Sequence, residues 1–139
     1  MLKSIIRGTL QFIAHQSIRN KTKKDQKNKK INNKVISFGN GCIASKKIFD
    51  GNYKIGYMKR EFPSGEYPDS GWRFFVGDED ETYTNNPDNM KIYSLESIIK
   101  HDEDIEKYLN SPNESEFIRI NDNEFEKDDR SKKIYIAKK

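Results

Sequence analysis

Residues 69–80, DSGWRFFVGDED, contain the clearest strand pattern in the sequence. Large apolar side chains occupy alternate positions, at Trp72, Phe74 and Val76, and Gly77 ends the run. An alternation with a period of two is typical of a β-strand that buries one face. We therefore expect a strand here, with Trp72 and Phe74 in the structural core.

A second alternating run lies upstream, at Tyr53, Ile55 and Tyr57. It predicts another strand with one aromatic face, and the turn-forming residues of 61–68 separate it from the first. The two runs are the best candidates for the centre of a sheet, in adjacent strands. Tyr57 is accordingly predicted to be a core residue.

Helix signals follow the strands. Ser94 is a good N-cap for a helix with apolar residues on one face, and Asp102 can cap a second short helix. Late strands are expected at residues 117–120 and 134–137. Strands, helices and strands without regular alternation predict an α+β fold: one small domain with a mainly antiparallel sheet and two or three helices.

The first 34 residues differ from the rest. Residues 1–18 place Leu2, Ile5 and Ile6, then later apolar residues, at helical spacing, which predicts an amphipathic helix. Such a helix docks on a membrane surface or a partner, or packs on its own domain. Residues 19–34, RNKTKKDQKNKKINNK, contain eight Lys or Arg and one apolar side chain, the composition of a solvated basic linker. The folded domain is expected to span residues 35–139.

Charge is unevenly distributed along the 139 residues. Residues 1–60 carry 15 Lys/Arg against two Asp, a balance of +13, whereas residues 61–139 carry 11 against 20 Asp/Glu, a balance of −9, which together give the net +4. An acidic folded part disfavours nucleic acid and favours a protein with a basic surface as its partner. A nucleic-acid-associated protein that uses the basic N-terminal arm is the alternative.

No recognisable catalytic, metal or cofactor site is present in the sequence. A lone cysteine, Cys42, excludes an intramolecular disulfide and a cysteine-based zinc site, and it fits a reducing, cytoplasmic compartment. Cys42 with His101 and an Asp could form a triad only if folding brought them together. A hydrolase with an unrecognised carboxylate site is a further possibility. No run is long and apolar enough to span a bilayer, and no signal peptide is predicted.

The acidic segment, residues 78–83, is the most prominent charge cluster. It fails as an EF-hand, because the sixth and twelfth positions from Asp78 are Tyr83 and Asn89 rather than glycine and glutamate. Four consecutive carboxylates are costly to bury, so we expect an exposed loop. The predicted partner-binding residues are Asp78, Glu79, Asp80, Glu81 and Tyr83.

Ordered segments across residues 41–120 resemble one bacterial family. The likeness rests on CIAS at 42–45, YKIGYMKRE at 53–61, DSGWRFFVGDED at 69–80, NPDN at 86–89, IYSL at 92–95 and SP at 111–112. The chain resembles the immunity protein 33 group of bacterial polymorphic toxin systems. The resemblance implies a non-enzymatic protein that neutralises a cognate toxin by binding it. It supplies no contact residues, and the oligomeric state stays open.

The charge pattern also sets an expected domain boundary. Limited trypsin digestion should cut first within residues 19–34, because eight basic residues there lie in a stretch with almost no apolar side chain. Mass spectrometry of the early fragments checks this. Early cleavage within residues 53–77, with 19–34 left intact, would place the boundary elsewhere.

Overall fold

A computed structural model describes residues 40–65 and 67–139. The predicted N-terminal helix of residues 1–18, the basic linker of 19–34 and the domain start at 35 lie outside these residues. The strands are β1 (Gly41–Ser45), β2 (Tyr57–Arg60), β3 (Asp69–Phe75), β4 (Met90–Ser94), β5 (Glu116–Arg119) and β6 (Phe125–Lys127). The α-helices are α1 (Lys46–Asp50), α2 (Glu81–Thr84) and α3 (Leu95–His101), and 3₁₀ helices span Pro87–Asn89 and Glu103–Tyr108.

The strands form a six-stranded sheet in the order β4-β1-β3-β2-β5-β6. β1 and β3 are parallel, and the other four neighbouring pairs are antiparallel. The α+β class and the mainly antiparallel sheet predicted from the sequence are confirmed. β2 and β3, the two strands expected at the centre, lie side by side there.

One face of the sheet carries the larger core. Trp72 and Phe74 of β3 are fully buried there, with ring centroids 5.9 Å apart. The indole Nε1 of Trp72 donates a hydrogen bond to the Leu109 carbonyl oxygen at 3.2 Å. Buried apolar side chains of α1, α3 and the second 3₁₀ helix cover this face; they include Ile48, Leu95, Ile98 and Ile105.

The opposite face of the sheet is also buried, which the sequence did not predict. Tyr57 and Phe75 form a second cluster there, together with Ile43, Tyr67, Met90 and Ile118. Tyr57 is therefore a core residue, but it lies on the other face from Trp72 and Phe74. Alternate residues of β3 therefore lie on two faces that are both buried, and neither face of the strand is exposed to solvent.

The helix caps are those expected from the sequence. The Ser94 hydroxyl accepts a hydrogen bond from the Ser97 N–H at 3.1 Å, at the start of α3. One Asp102 carboxylate oxygen accepts from the Asp104 N–H at 3.1 Å, at the start of the 3₁₀ helix. These bonds satisfy N–H groups that have no partner within the helix.

Arg119 ties the helical layer to the sheet from a fully buried position. Its Nη2 lies 2.7 Å from Asp102 Oδ2, and its Nη1 lies 3.0 Å from Asp104 Oδ2. Its Nε donates to the Ile55 carbonyl oxygen at 2.7 Å. Because a buried guanidinium is costly without partners, this arrangement favours one position of the 3₁₀ helix on the sheet.

Two strand predictions were wrong. Residues 134–137 form no strand; they make scattered backbone bonds, such as Tyr135 N–H to the Arg119 carbonyl oxygen at 2.9 Å. The last strand is instead β6, which pairs with β5. The strand expected from Tyr53 begins only at Tyr57, and Tyr53 makes an isolated bridge to Lys138.

Replacing Trp72 tests the larger core. Trp72→Ala should lower the free energy of unfolding by about 3–5 kcal/mol, because it removes a fully buried indole and leaves a cavity. Equilibrium denaturation in urea measures the change. The matched control is Tyr135→Ala, since Tyr135 is an exposed aromatic side chain. Equal midpoints for the two variants would contradict the core position of Trp72.

Candidate functional site

The acidic segment follows β3 after a turn at Gly77 and includes the first residues of α2. Gly77 has φ +113°, a backbone conformation that favours glycine. The turn directs residues 78–83 back over the start of α1. The predicted partner-binding residues are thus together, but the structure gives them different environments.

Glu79 is buried, with 1% of its surface exposed, so the expectation that all four carboxylates are exposed was wrong. Its carboxylate oxygens accept hydrogen bonds from the N–H groups of Val76 and Gly77, each at 2.9 Å. These bonds offset the cost of burying the group. Burial raises the pKa of Glu79, although the N–H donors act in the opposite direction. Glu79 fixes the turn and, being buried, presents almost no surface to a partner.

Asp78 and Tyr83 pack against the start of α1. Asp78 Oδ1 lies 2.8 Å from Lys47 Nζ, and both side chains are partly exposed. The Tyr83 hydroxyl oxygen accepts from the Lys47 N–H at 3.2 Å and from the Ser45 hydroxyl at 3.3 Å. The two residues therefore hold the acidic segment in place and leave part of their surface to solvent.

Asp80 and Glu81 are the exposed carboxylates of the acidic segment. Asp80 also caps α2, because its Oδ1 accepts a hydrogen bond from the Tyr83 N–H at 2.8 Å. Asp88 follows in the next 3₁₀ helix and is exposed as well. Asp78, Asp80 and Glu81, with Tyr83 beside them, form the acidic face, which is suited to attracting a cationic surface.

Sequence reasoning missed an ion cluster at the other end of β3, made of Arg73, Asp69 and Glu61. Arg73 is 2% exposed and donates to both Asp69 carboxylate oxygens at 2.9 Å, and its Nε donates to Glu61 Oε1 at 3.0 Å. The signal available in the sequence was the spacing of Asp69 and Arg73. Residues four apart in a strand share a face, so opposite charges there can pair.

The pKa of Asp69 is lowered in part by its ion pair with Arg73. Burial acts to raise the pKa of the Asp69 carboxyl, whereas the hydrogen bonds and charge of Arg73 act to lower it. The N–H groups of Ser64 and Gly71, each 2.9 Å from an Asp69 oxygen, act in the same direction as Arg73. The net result is a pKa below the ordinary value for Asp69, which stays charged inside the fold.

Cys42 and His101, the two residues considered for a catalytic triad, both pack within the fold. Cys42 is fully buried, and burial raises the pKa of its thiol, so the thiol stays protonated near neutral pH. His101 Nε2 lies 2.7 Å from the Tyr53 carbonyl oxygen, and its ring packs 4.6 Å from that of Phe49. Among residues 40–65 and 67–139, no group of three or more His, Cys, Asp or Glu side chains could hold a metal ion.

The different roles of two neighbouring glutamates can be tested. Glu79→Ala should lower the free energy of unfolding by roughly 1–3 kcal/mol, because the N–H groups of Val76 and Gly77 lose their acceptor. Glu81→Gln is the matched control, since Glu81 is exposed, and should change it by no more than about 0.5 kcal/mol. Urea denaturation of both variants measures this. Equal stability of the two would show that Glu79 does not fix the turn.

No helix within the described part of the chain is long and apolar enough to cross a membrane. No curated protein and no solved structure matches this chain. Residues 42–129, from β1 to just beyond β6, match the family described as Immunity protein Imm33 domain. The match covers more than half of the 139 residues and confirms the resemblance seen in the sequence. The chain belongs to the Imm33 immunity protein family.

Proposed function

We propose that this chain is a bacterial cytoplasmic immunity protein that binds and neutralises a cognate toxin of a polymorphic toxin system, without catalysis of its own. Membership of the Imm33 family is the observation that carries the proposal. An immunity role requires a surface that recognises one partner, and no reaction has to take place on it.

The acidic face is the proposed contact surface for a toxin with a basic surface. Asp80 and Glu81 are exposed, and Asp78 and Tyr83 are partly exposed beside them. Opposite charges on two proteins raise the association rate and suppress wrong partners. Because the backbone is fixed by Glu79 and the Asp80 cap, few conformations have to be lost on binding, which favours affinity.

Binding kinetics test this contact surface. The probe is a toxin domain whose gene lies next to that of this chain, and the variant combines Asp78→Asn, Asp80→Asn and Glu81→Gln. Asn caps helices as well as Asp does, so α2 should persist. We expect the association rate at low salt to fall by about tenfold, and the difference to shrink as salt rises, because salt screens exposed charges.

The matched control neutralises three exposed carboxylates elsewhere, with Glu96→Gln, Glu103→Gln and Glu124→Gln. It makes the same change in net charge, so a smaller effect assigns the loss to the acidic face. A folded triple variant that associates at the wild-type rate at both salts would remove this face from the interface. Absence of any binding by the wild-type chain would contradict the immunity role itself.

The basic arm of residues 19–34 supports the alternative, a nucleic-acid-associated protein. Measuring the affinity of the chain for DNA or RNA at several salt concentrations distinguishes the two functions. If the basic arm binds phosphates, the logarithm of the binding constant should fall with the logarithm of the salt concentration, with a slope of about 0.9 for each phosphate contacted. The immunity role predicts tight binding to the toxin domain and none of comparable strength to nucleic acid.

A further inference from the structure

The connection between β2 and β3 contains a large apolar side chain that is mostly exposed to solvent. Phe62 is 62% exposed, and the other exposed large hydrophobic residues of the described chain, Tyr135 and Ile136, are each 40% exposed. Single exposed apolar residues are common on protein surfaces. Exposure alone therefore does not mark a site, and two further features of this connection carry the inference.

The first feature is that the chain around Phe62 is held by the ion cluster. On one side, the Glu61 N–H donates to the Gly71 carbonyl oxygen at 2.8 Å, and the Glu61 carboxylate pairs with Arg73. On the other side, the Ser64 N–H donates to Asp69 Oδ2 at 2.9 Å. Phe62 is thus presented on a fixed backbone, and little chain entropy is lost when a partner covers it.

The second feature is an unsatisfied acceptor next to Phe62. The Glu61 side chain is 6% exposed, and its Oε1 is bonded to Arg73, but its Oε2 is buried and has no hydrogen-bond partner. Buried carboxylate oxygens normally accept a hydrogen bond, so the lack of a donor at Glu61 Oε2 needs an explanation. The terminal torsion of a glutamate is soft, so a small rotation that keeps Oε1 on Arg73 can bring Oε2 toward a donor at the surface.

We propose that residues 61–64, the Phe62 loop, form a second contact surface for the toxin. Phe62 fills an apolar pocket of the toxin, and a lysine or arginine of the toxin donates to Glu61 Oε2. A cationic donor is the best match, because hydrogen bonds between charged groups and carboxylates are the strong ones. This inference rests on the proposed function, since it names the chemistry of the same partner.

The Phe62 loop and the acidic face lie at opposite ends of β3. β3 has seven residues, and at about 3.3 Å per residue the two surfaces are roughly 20 Å apart. A common protein interface covers about 800 Å² on each partner, an area that extends over such a distance. A toxin domain that covers both surfaces would use the acidic face to guide association and Phe62 to slow dissociation.

The experiment uses the full chain and, as above, a toxin domain whose gene lies next to that of this chain. Phe62→Ala should weaken binding at least 30-fold, mainly through faster dissociation, and leave the unfolding midpoint unchanged because the side chain is exposed. The loss should be the same at low and moderate salt, unlike that of the acidic-face variant. Tyr135→Ala, which removes another exposed aromatic ring, is the control and should stay within about threefold of the wild type.

Glu61→Gln tests the second half of the inference. It keeps the shape of the side chain and removes its charge, and we expect about tenfold weaker binding in a variant whose folding is checked by urea denaturation. If the wild type binds and Phe62→Ala binds within threefold of it, the Phe62 loop is not a contact surface, while the proposed function stands. If the wild type does not bind the toxin domain, both proposals are wrong.

Discussion

The pairing of Arg73 with Asp69 and Glu61 is the constraint on which much of the structure depends. Arg73 lies in the middle of β3, the strand that pairs with both β1 and β2. A guanidinium buried there without partners would cost several kcal/mol, so the two carboxylates have to be in place for the sheet to close. Glu61 directly follows β2 and Asp69 begins β3, so the cluster fixes both ends of the connection between the two strands.

Gly71 shows how closely the backbone approaches this cluster. Its φ is +92°, and a Cβ at this position would collide with the Glu61 carbonyl oxygen. The Asp69 carboxylate bonds the Gly71 N–H, the Ser64 N–H and the Tyr67 hydroxyl in addition to Arg73. One ion cluster thus orders the sheet and the loop that presents Phe62. After the other end of β3, the buried Glu79 holds the turn that positions the acidic face.

Local signals were enough to predict the parts of the fold that depend on neighbours in sequence. The alternation at Trp72 and Phe74 predicts the central strand, and Ser94 and Asp102 predict the helix starts. The second buried face was missed because Arg73 looks like a solvent-facing residue until its partners, 4 and 12 residues away, are seen in space. Burial of Glu79 was missed for the same reason, since its donors become available only after the turn at Gly77 forms.

The position of the candidate site stays a prediction from the sequence, and the structure adds the environment of each of its residues. The sequence pointed to residues 78–83, whereas folding divides them into exposed carboxylates and residues that hold the turn. Buried charges thus position the surface, and the exposed side chains are the ones available to the proposed partner. The Imm33 family relation supports the same role, because an immunity protein acts by recognition.

The stability of Asp69→Asn as a function of pH tests the role of the ion cluster most directly. Because the folded-state pKa of Asp69 is lowered, its contribution is fully present above the ordinary value of 3.8 and is lost as pH falls through the folded pKa. We expect the variant to be about 3–5 kcal/mol less stable at pH 7, and the gap to the wild type to narrow below about pH 4. A gap that is absent at pH 7, or constant down to acid pH, would contradict the central role of the Arg73 cluster.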